Sequence, residues 1–242
     1  MAFHPDKCNV LTISRNKTRV KFNYCLHGHV LESVDKAKYL WVTISKDLKW
    51  QSHINNICGK ANKTLGFLRH NLNIGSTSVK EQAYKSLVRP SLECACSVWD
   101  FHLKSDVNKI EMVQRRAARY VTNSQRNTSS VGDMLHLKWH SPEDRCRDAC
   151  LVMMYKISHD KVAVSKSDRL SLPLRHSRNM HSQSYQVPLC STQQRKTLFF
   201  PRTIVDWNRL PHTAVLSDSV KSFKAAITSS NLYIHFRFSI YF

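Results

Sequence analysis

The hydrophobic and polar positions of this chain follow two different periods, and the period changes at Trp50. Before Trp50, short runs rich in β-branched and aromatic residues alternate with turn residues, which is typical of short antiparallel strands. These runs are CNVLTIS at 8–14, RVKFNYCL at 19–26, VLESV at 30–34 and AKYLWVTI at 37–44. Gly28, which lies between two histidines, predicts a turn within this small β region.

After that change the apolar positions recur every three or four residues, which predicts a bundle of four to six helices up to residue 158. The first helix, of about five turns, has a predicted buried face of His53, Ile54, Ile57, Ala61, Leu65 and Leu68, with Lys60, Lys63 and Arg69 on its other side. A second helix is capped by Ser76 or Thr77 and ends before Arg89 and Pro90. Pro142, with acidic residues behind it, marks the start of the last helix.

The segment KIEMVQRRAARYVTN, from Lys109 to Asn123, predicts an amphipathic helix that begins at Ser105 or Asp106. At about 100° per residue, one arc of this helix is apolar and consists of Ile110, Val113, Ala117, Ala118, Tyr120 and Val121. The opposite arc is basic and carries Lys109, Arg115, Arg116 and Arg119. Taken alone, such a face is either solvated or binds a polyanion, and the residues leave both interpretations open.

The C-terminal third is less regular. Residues 161–198 are basic, Ser-rich and without a clear period, so we expect a long connector. An apolar anchor follows, formed by Phe199, Phe200, Ile204, Trp207 and Leu210. SVKSFKAAI predicts a last short helix, and the terminal YIHFRFSIYF alternates like a strand, although readthrough past a natural end would explain it equally well.

The predicted fold class is therefore α+β and mostly α. A small N-terminal antiparallel β region precedes a helical bundle and a partly irregular basic C-terminal region. The predicted segments are a β region at 1–48, the bundle at 49–160, the connector at 161–198, and the anchor, short helix and tail at 199–242.

Charge narrows the choice of partners. The 242 residues contain 37 Lys and Arg but 17 Asp and Glu, a net charge of +20. An excess of this size favours an anionic partner, and nucleic acid is the commonest because each neutralised phosphate releases counterions. A membrane surface is the alternative, but no apolar run reaches the roughly 20 residues of a spanning helix. No signal peptide opens the chain, so we expect an intracellular protein of the nucleus or cytoplasm.

The residue types of metal and catalytic sites are present but not clustered. None of the eight cysteines forms a C-x-x-C pair, so free thiols in a reducing compartment are expected, and Cys146 and Cys150 are weak metal candidates. The chain has no Asp-Asp dipeptide and no Gly-rich phosphate loop. Two-metal phosphoryl transfer needs clustered carboxylates, so no catalytic residue, metal site or cofactor is expected.

Several segments together resemble a known family. AKYLWVTISKDLKWQSHI, KANKTLGFLRHNL, LVRPSLECACSVWD, KIEMVQRRAARYV and FFPRTIVDWNRLP occur in this order. The set resembles the C-terminal part of the reverse transcriptase of jockey-like non-LTR (LINE-type) retrotransposons, over about residues 3–227. Two positions depart from the family pattern, which has glycine where Trp41 stands and an aromatic residue where Cys94 stands.

The resemblance implies the end of a polymerase palm, a helical thumb and the region beyond it. The palm residues that bind Mg²⁺ would lie upstream of Met1. A thumb lies along the template–primer duplex, which implies backbone contacts from Lys60, Lys63, Arg69, Lys109, Arg115, Arg116 and Arg119. The hairpin at Tyr39, Leu40 and Trp41 corresponds to a primer grip. The expected function is nucleic-acid binding by a polymerase fragment that has no activity of its own.

Three other interpretations compete with this one. GSTSVKEQAYKSLV, at 75–88, could form part of a helix-turn-helix that reads DNA. An active polymerase or nuclease would need a carboxylate cluster that the sequence lacks. The reading frame could also be a relic whose product has no selected role.

Overall fold

A computed structural model describes residues 4–14, 22–73, 76–99, 103–124, 130–175 and 180–229. The chain folds into two compact units. The first comprises Met1–Cys94 and Leu103–Asp133, and the second comprises Ala95–His102 and Met134–Phe242. The predicted terminal strand and the start of the RVKFNYCL run lie outside the described residues.

The β region of the first unit consists of strands shorter than predicted: β1 Asn9–Val10, β2 Cys25–Leu26, β3 His29–Val30, β4 Glu32–Ser33, β5 Lys36–Tyr39 and β6 Val42–Ser45. The β2–β3 and β5–β6 pairs are antiparallel hairpins, as predicted. The β1–β4 pair is parallel, which the prediction of a purely antiparallel region missed. Two-residue strands give too little alternation for the sequence to fix their direction.

Helices are the main regular structure of both units, which confirms the α+β, mostly α class. Those of the first unit are α1 Gln51–Asn71, α2 Thr77–Ala83, α3 Arg89–Glu93 and α4 Lys104–Thr122, with a π-helical segment Tyr84–Val88 between α2 and α3. Helix α5 Ser130–His136 spans the boundary between the units. Those of the second unit are α6 Pro142–Ser158, α7 Gln193–Lys196, α8 Phe199–Asn208, α9 His212–Val215 and α10 Val220–Ser229.

The core of the first unit lies where α1 and α4 pack together. All six predicted α1 positions from His53 to Leu68 are buried, and so are all six predicted apolar positions of α4. Tyr84, Val88 and Leu92 complete this core from the α2–α3 segment. The 3.6-residue period therefore identified the packed faces of both helices correctly.

One predicted helix is divided, and one predicted helix start was wrong. The second predicted helix consists of α2 and the π-helical segment Tyr84–Val88; the Arg89 amide donates to the Tyr84 carbonyl, and α3 follows directly at Arg89. A π-turn is wider than an α-helical turn, so the proline ring avoids the clash with the carbonyl group of the fourth residue before it. Helix α4 begins at Lys104, with Leu103 as its N-cap, rather than at Ser105 or Asp106. The N-cap prediction for the second helix was right, since the Ser76 hydroxyl accepts from the Val79 amide.

The second unit is built around α6, α8 and α10. As predicted, Pro142 occupies the first turn of α6, and Ser141 caps it by accepting from the Asp144 amide. The buried core includes Ile204, Trp207 and Leu210 of the predicted anchor, and Phe199 and Phe200 pack against its edge. Helix α6 thus shares its core with the C-terminal helices, whereas the sequence grouped it with the helices before residue 125.

Apart from α7, the described part of the connector is irregular, as predicted, but some of it belongs to this core. Leu170 and Tyr185 are buried in the core cluster. The Asn208 side chain of α8 forms two hydrogen bonds with the Tyr185 backbone, at 3.0 and 2.7 Å. His181 lies 3.0 Å from the Trp207 carbonyl oxygen. These polar contacts fix the path of this part of the connector, and the spacing of apolar residues in the sequence does not predict them.

Within the described residues, no helix combines the length and the apolar character that a bilayer crossing requires.

Candidate nucleic-acid interface

A polar seam joins α1 and α4 along their exposed sides. The Lys109 ammonium donates to Asn55 Oδ1 at 3.0 Å, and the Arg116 guanidinium donates to Asn62 Oδ1 at 3.1 Å. Each pair is separated by 54 residues in the chain. The two helices therefore run parallel, and the contacts repeat after seven residues, or about 10.5 Å of helix axis.

A third contact continues this seam. The Arg69 guanidinium donates to the Arg116 carbonyl oxygen at 2.8 Å. Arg69, Lys109 and Arg116 are all exposed, so their charges face solvent along one edge. We call Asn55, Asn62, Arg69, Lys109 and Arg116 the α1–α4 seam.

The other two arginines of the predicted basic face lie in a different environment. Arg115 is half-buried and donates to the Glu111 carboxylate at 2.9 Å. Arg119 is also half-buried, and within the described residues the Nε atoms of both arginines are buried without a hydrogen-bond partner. The structure thus divides the predicted face into an exposed pair, Lys109 and Arg116, and a half-buried pair.

The three residues predicted to resemble a primer grip lie at the tip of the β5–β6 hairpin. Tyr39, Leu40 and Trp41 are all exposed. Leu40 and Trp41 form a two-residue loop with φ of 44° and 72°. Positive φ at both loop positions matches the twist of a hairpin but favours glycine or asparagine. The β2–β3 hairpin has the same loop length and places Gly28 at its second position, with φ of 80°.

A groove of about 650 Å³ lies beside this hairpin tip. Its lining includes Lys38 and Trp41 from the hairpin, Lys60 and Lys63 from α1, and Cys94 from the end of α3. Both positions that depart from the family pattern, Trp41 and Cys94, therefore face one groove. Lys60 and Lys63 are exposed, so the predicted basic side of α1 forms one wall.

His53 fixes the hairpin to α1. Its Nδ1 accepts a hydrogen bond from the Thr43 amide of β6 at 3.2 Å. Burial lowers the pKa of His53, which favours the neutral ring that this bond requires. The sequence placed His53 on a buried helix face but gave no sign of this tether.

Lys80 shows how packing can remove a basic residue from a surface. It is 1% exposed, donates to Asn123 Oδ1 and lies 5.3 Å from the Tyr120 ring centroid. It is the basic residue in the first turns of the segment considered for a helix-turn-helix. A buried lysine cannot reach a base edge, so this geometry disfavours that interpretation.

The site also contains polar residues that the sequence did not single out, namely Lys38, Asn55 and Asn62. Asn55, Asn62 and Arg69 lie seven residues apart, and this spacing is a signal that could have identified one side of the seam. The position of Lys38 depends on the hairpin, which no helical period describes.

Two carboxylates of the N-terminal region, Asp35 and Asp47, have local partners. Asp35 pairs with Lys46 at 2.6 Å. Asp47 accepts from the Ser45 hydroxyl and the Lys49 amide, which lowers the pKa of Asp47. In the described part of the chain, no three His, Cys, Asp or Glu side chains form a group that could hold a metal ion.

Comparison with known proteins gives two relatives, both from Drosophila melanogaster. The chain is 31% identical over 101 residues to the probable RNA-directed DNA polymerase from transposon BS. It is 28% identical over 123 residues to the RNA-directed DNA polymerase from mobile element jockey. The matches cover 40% and 49% of this chain but span only 11% and 13% of the relatives' own lengths.

No family model matches the chain. No solved structure shows significant similarity to it. The two relatives nevertheless confirm the predicted resemblance to the reverse transcriptases of jockey-like elements.

Proposed function

We propose that this chain is a nucleic-acid-binding part of a retrotransposon RNA-directed DNA polymerase. Its first unit would contact template–primer, of RNA or DNA, along the phosphate backbone. The observation that carries the proposal is the α1–α4 seam, where Lys109, Arg116 and Arg69 are aligned and exposed. Lys60 and Lys63 extend this basic surface along α1.

The chemistry of the seam suits a backbone better than a base sequence. Lysine and arginine contact phosphates whatever the bases are, and the release of counterions supplies the free energy. Two parallel helices hold the charges at a fixed spacing, so the side chains lose less conformational freedom on binding. We therefore expect binding with little sequence preference and a steep dependence on salt.

The test is fluorescence anisotropy of a labelled duplex at several salt concentrations. The triple variant Arg69→Gln, Lys109→Gln, Arg116→Gln should reduce the slope of log affinity against log salt by about two to three units, since each phosphate contact contributes about 0.7 to 0.9. Lys224→Gln, an exposed lysine of α10 in the second unit, is the matched control and should leave the slope unchanged. Arg115→Gln with Arg119→Gln should reduce it less than the triple variant does.

Circular dichroism melts on the same samples separate binding from folding. The removed contacts are exposed, so each should cost less than about 1 kcal/mol. A folded triple variant that keeps the full salt slope contradicts the proposal and leaves the seam as a solvated surface.

We further propose that the chain alone does not extend a primer. The sequence has no Asp-Asp dipeptide, and Asp35 and Asp47 are engaged with Lys46 and Ser45. Purified protein with primer–template, Mg²⁺ and deoxynucleotides should therefore leave the primer at its original length. Extension that is abolished by Asp35→Asn or Asp47→Asn would overturn this part of the proposal.

A further inference from the structure

Lys60 belongs to the proposed basic surface, yet its charge already has a partner within the protein. Its ammonium group lies 4.6 Å from the centroid of the Trp41 ring, and the ammonium group of Lys38 lies 4.4 Å from the same centroid. Both lysines are exposed. Lys63, about one turn further along α1, lines the same groove but makes no ring contact among the described residues. The ring therefore distinguishes Lys38 and Lys60 from Lys63.

The packing of the β5–β6 hairpin on α1 brings this ring to Lys60. The Thr43 amide donates to His53 Nδ1 at 3.2 Å, and the Thr43 hydroxyl accepts from Asn56 Nδ2 at 3.3 Å. Lys60 follows Asn56 by one helical turn, so it lies on the same side of α1. Lys38 is the cross-strand partner of Thr43, so the two side chains share one face of the hairpin. Contacts outside the tip therefore place the ring beside Lys60.

Hydrophobic packing does not account for the ring at this position. The Trp41 side chain is 65% exposed, so little of it is removed from water. Its φ of 72° is a conformation that glycine adopts more easily. Trp41 thus presents an exposed ring from a strained loop, and that ring contacts two cations.

A phosphate and the ring compete for these ammonium groups. The face of an indole ring carries partial negative charge, which attracts an ammonium group. The same charge repels a phosphate, and the ring covers one side of the ammonium group. A phosphate that bonds Lys60 must therefore approach beside a repulsive neighbour or displace the lysine from the ring. In either case Trp41 reduces the free energy that Lys60 contributes to binding.

We propose that Trp41 is an autoinhibitory residue, which withholds Lys38 and Lys60 from the phosphate backbone. This role rests on the proposed function and regulates the same basic surface. A primer grip at this tip would hold the ligand, so its removal would weaken binding. An autoinhibitory ring has the opposite effect, and its removal strengthens binding.

The hairpin offers a matched pair of variants. Leu40 and Trp41 both have positive φ, where glycine is relaxed, so neither Leu40→Gly nor Trp41→Gly strains the loop. Both remove a large exposed side chain, 72% and 65% exposed. Only Trp41→Gly removes the ring that contacts the two lysines. The pair therefore separates the loss of the ring from a change in the loop backbone.

The experiment measures the affinity for a blunt duplex, and its salt dependence, by fluorescence anisotropy. For each lysine that it releases, Trp41→Gly should bind about two- to fivefold more tightly, the fold-change that corresponds to one exposed cation–π contact. The slope of log affinity against log salt should steepen by about 0.7 to 0.9 for each released lysine that contacts a phosphate. Leu40→Gly should bind like the unmodified protein.

A mutant cycle identifies the lysines that account for the tighter binding. When Lys38→Gln and Lys60→Gln are already present, the ring has no ammonium group to withhold, so Trp41→Gly should not change the affinity. When Lys63→Gln is present instead, both ring contacts remain and Trp41→Gly should have its full effect. All these side chains are exposed, and circular dichroism melts verify that each variant is folded.

Three results would overturn the autoinhibitory role: equal or weaker binding by Trp41→Gly, the same increase in Leu40→Gly, or an increase that persists without Lys38 and Lys60. If the unmodified protein and Trp41→Gly bind the duplex alike, the proposed function stands and the autoinhibitory role fails. If neither protein binds the duplex, the proposed function itself fails. The two failures are therefore distinguishable.

Discussion

At the scale of single residues, the loop of the β5–β6 hairpin is where residue type and backbone conformation agree least. Leu40 and Trp41 adopt positive φ, which asparagine or glycine would adopt more easily. At the second loop position of the β2–β3 hairpin, where φ is also positive, the chain has Gly28. Trp41 gains contacts with two lysines in this position, whereas no ring or cation contact accompanies Leu40 among the described residues. The strain at Leu40 therefore has no visible compensation.

We predict that Leu40→Asn stabilises the first unit by about 0.5 to 1 kcal/mol, because a left-handed backbone costs a leucine about 1 to 2 kcal/mol and asparagine tolerates it. Urea denaturation measures the effect. Leu172→Asn is the control, since Leu172 is 71% exposed, against 72% for Leu40, and does not have positive φ. It should change the free energy of unfolding by less than about 0.5 kcal/mol. Equal effects of the two substitutions would show that the loop conformation is not the cause.

At the scale of elements, two neutral histidines fix segments that have little regular structure of their own. His53 Nδ1 accepts from the Thr43 amide and so fixes β6 to α1. In the second unit, His181 Nε2 faces the Trp207 carbonyl oxygen, which fixes the connector to α8. Burial lowers the pKa of both histidines. Protonation would break the first contact and would place a buried charge at the second.

The free energy of unfolding should therefore fall as the pH drops below about 6.5, the ordinary histidine pKa. The unfolded chain binds protons there, while the folded chain resists them until the lower folded pKa is reached. Each histidine contributes at most about 1.4 kcal/mol per pH unit. His53→Asn keeps an acceptor at the Nδ1 position and His181→Gln keeps a donor at the Nε2 position, so each should remove part of this pH dependence. Denaturation curves between about pH 7 and 5 that are identical in all three proteins would contradict this assignment.

At the scale of the whole molecule, the net charge governs how both stability and binding respond to salt. The net charge of +20 means that repulsion among basic side chains opposes folding when no anion is bound. Salt screens this repulsion but also weakens contacts with phosphates. Added salt should therefore increase the free energy of unfolding of the free protein and decrease its affinity for nucleic acid.

We predict that raising the salt from about 0.05 to 0.2 M stabilises the free protein while it weakens nucleic-acid binding. Urea denaturation of the free protein and anisotropy of the complex measure the two effects separately. Lys221→Glu with Lys224→Glu, two exposed positions of α10 outside the seam, lowers the net charge by four and should reduce the salt dependence of stability. Stability that falls with added salt, or that ignores this charge reversal, would contradict the prediction.

The sequence by itself determined the features that depend on local spacing. The periods before and after Trp50 separated the strands from the helices, and they identified the buried faces that hold Ile54 and Val113. The cap at Ser76 and the helix start at Pro142 were also legible without a structure, because each depends on residues a few positions apart, and the net charge depends on composition alone. The resemblance to mobile-element polymerases likewise came from short segments in a fixed order.

Only the tertiary structure decided which polar residues meet. Arg116 contacts Asn62 across 54 residues, Lys60 reaches the Trp41 ring, and Lys80 is buried although its local sequence looks exposed. A helical period gives the direction of each side chain around its own axis. It does not give the direction or register in which two helices pack, and that register determines whether a basic side chain is exposed, paired or buried.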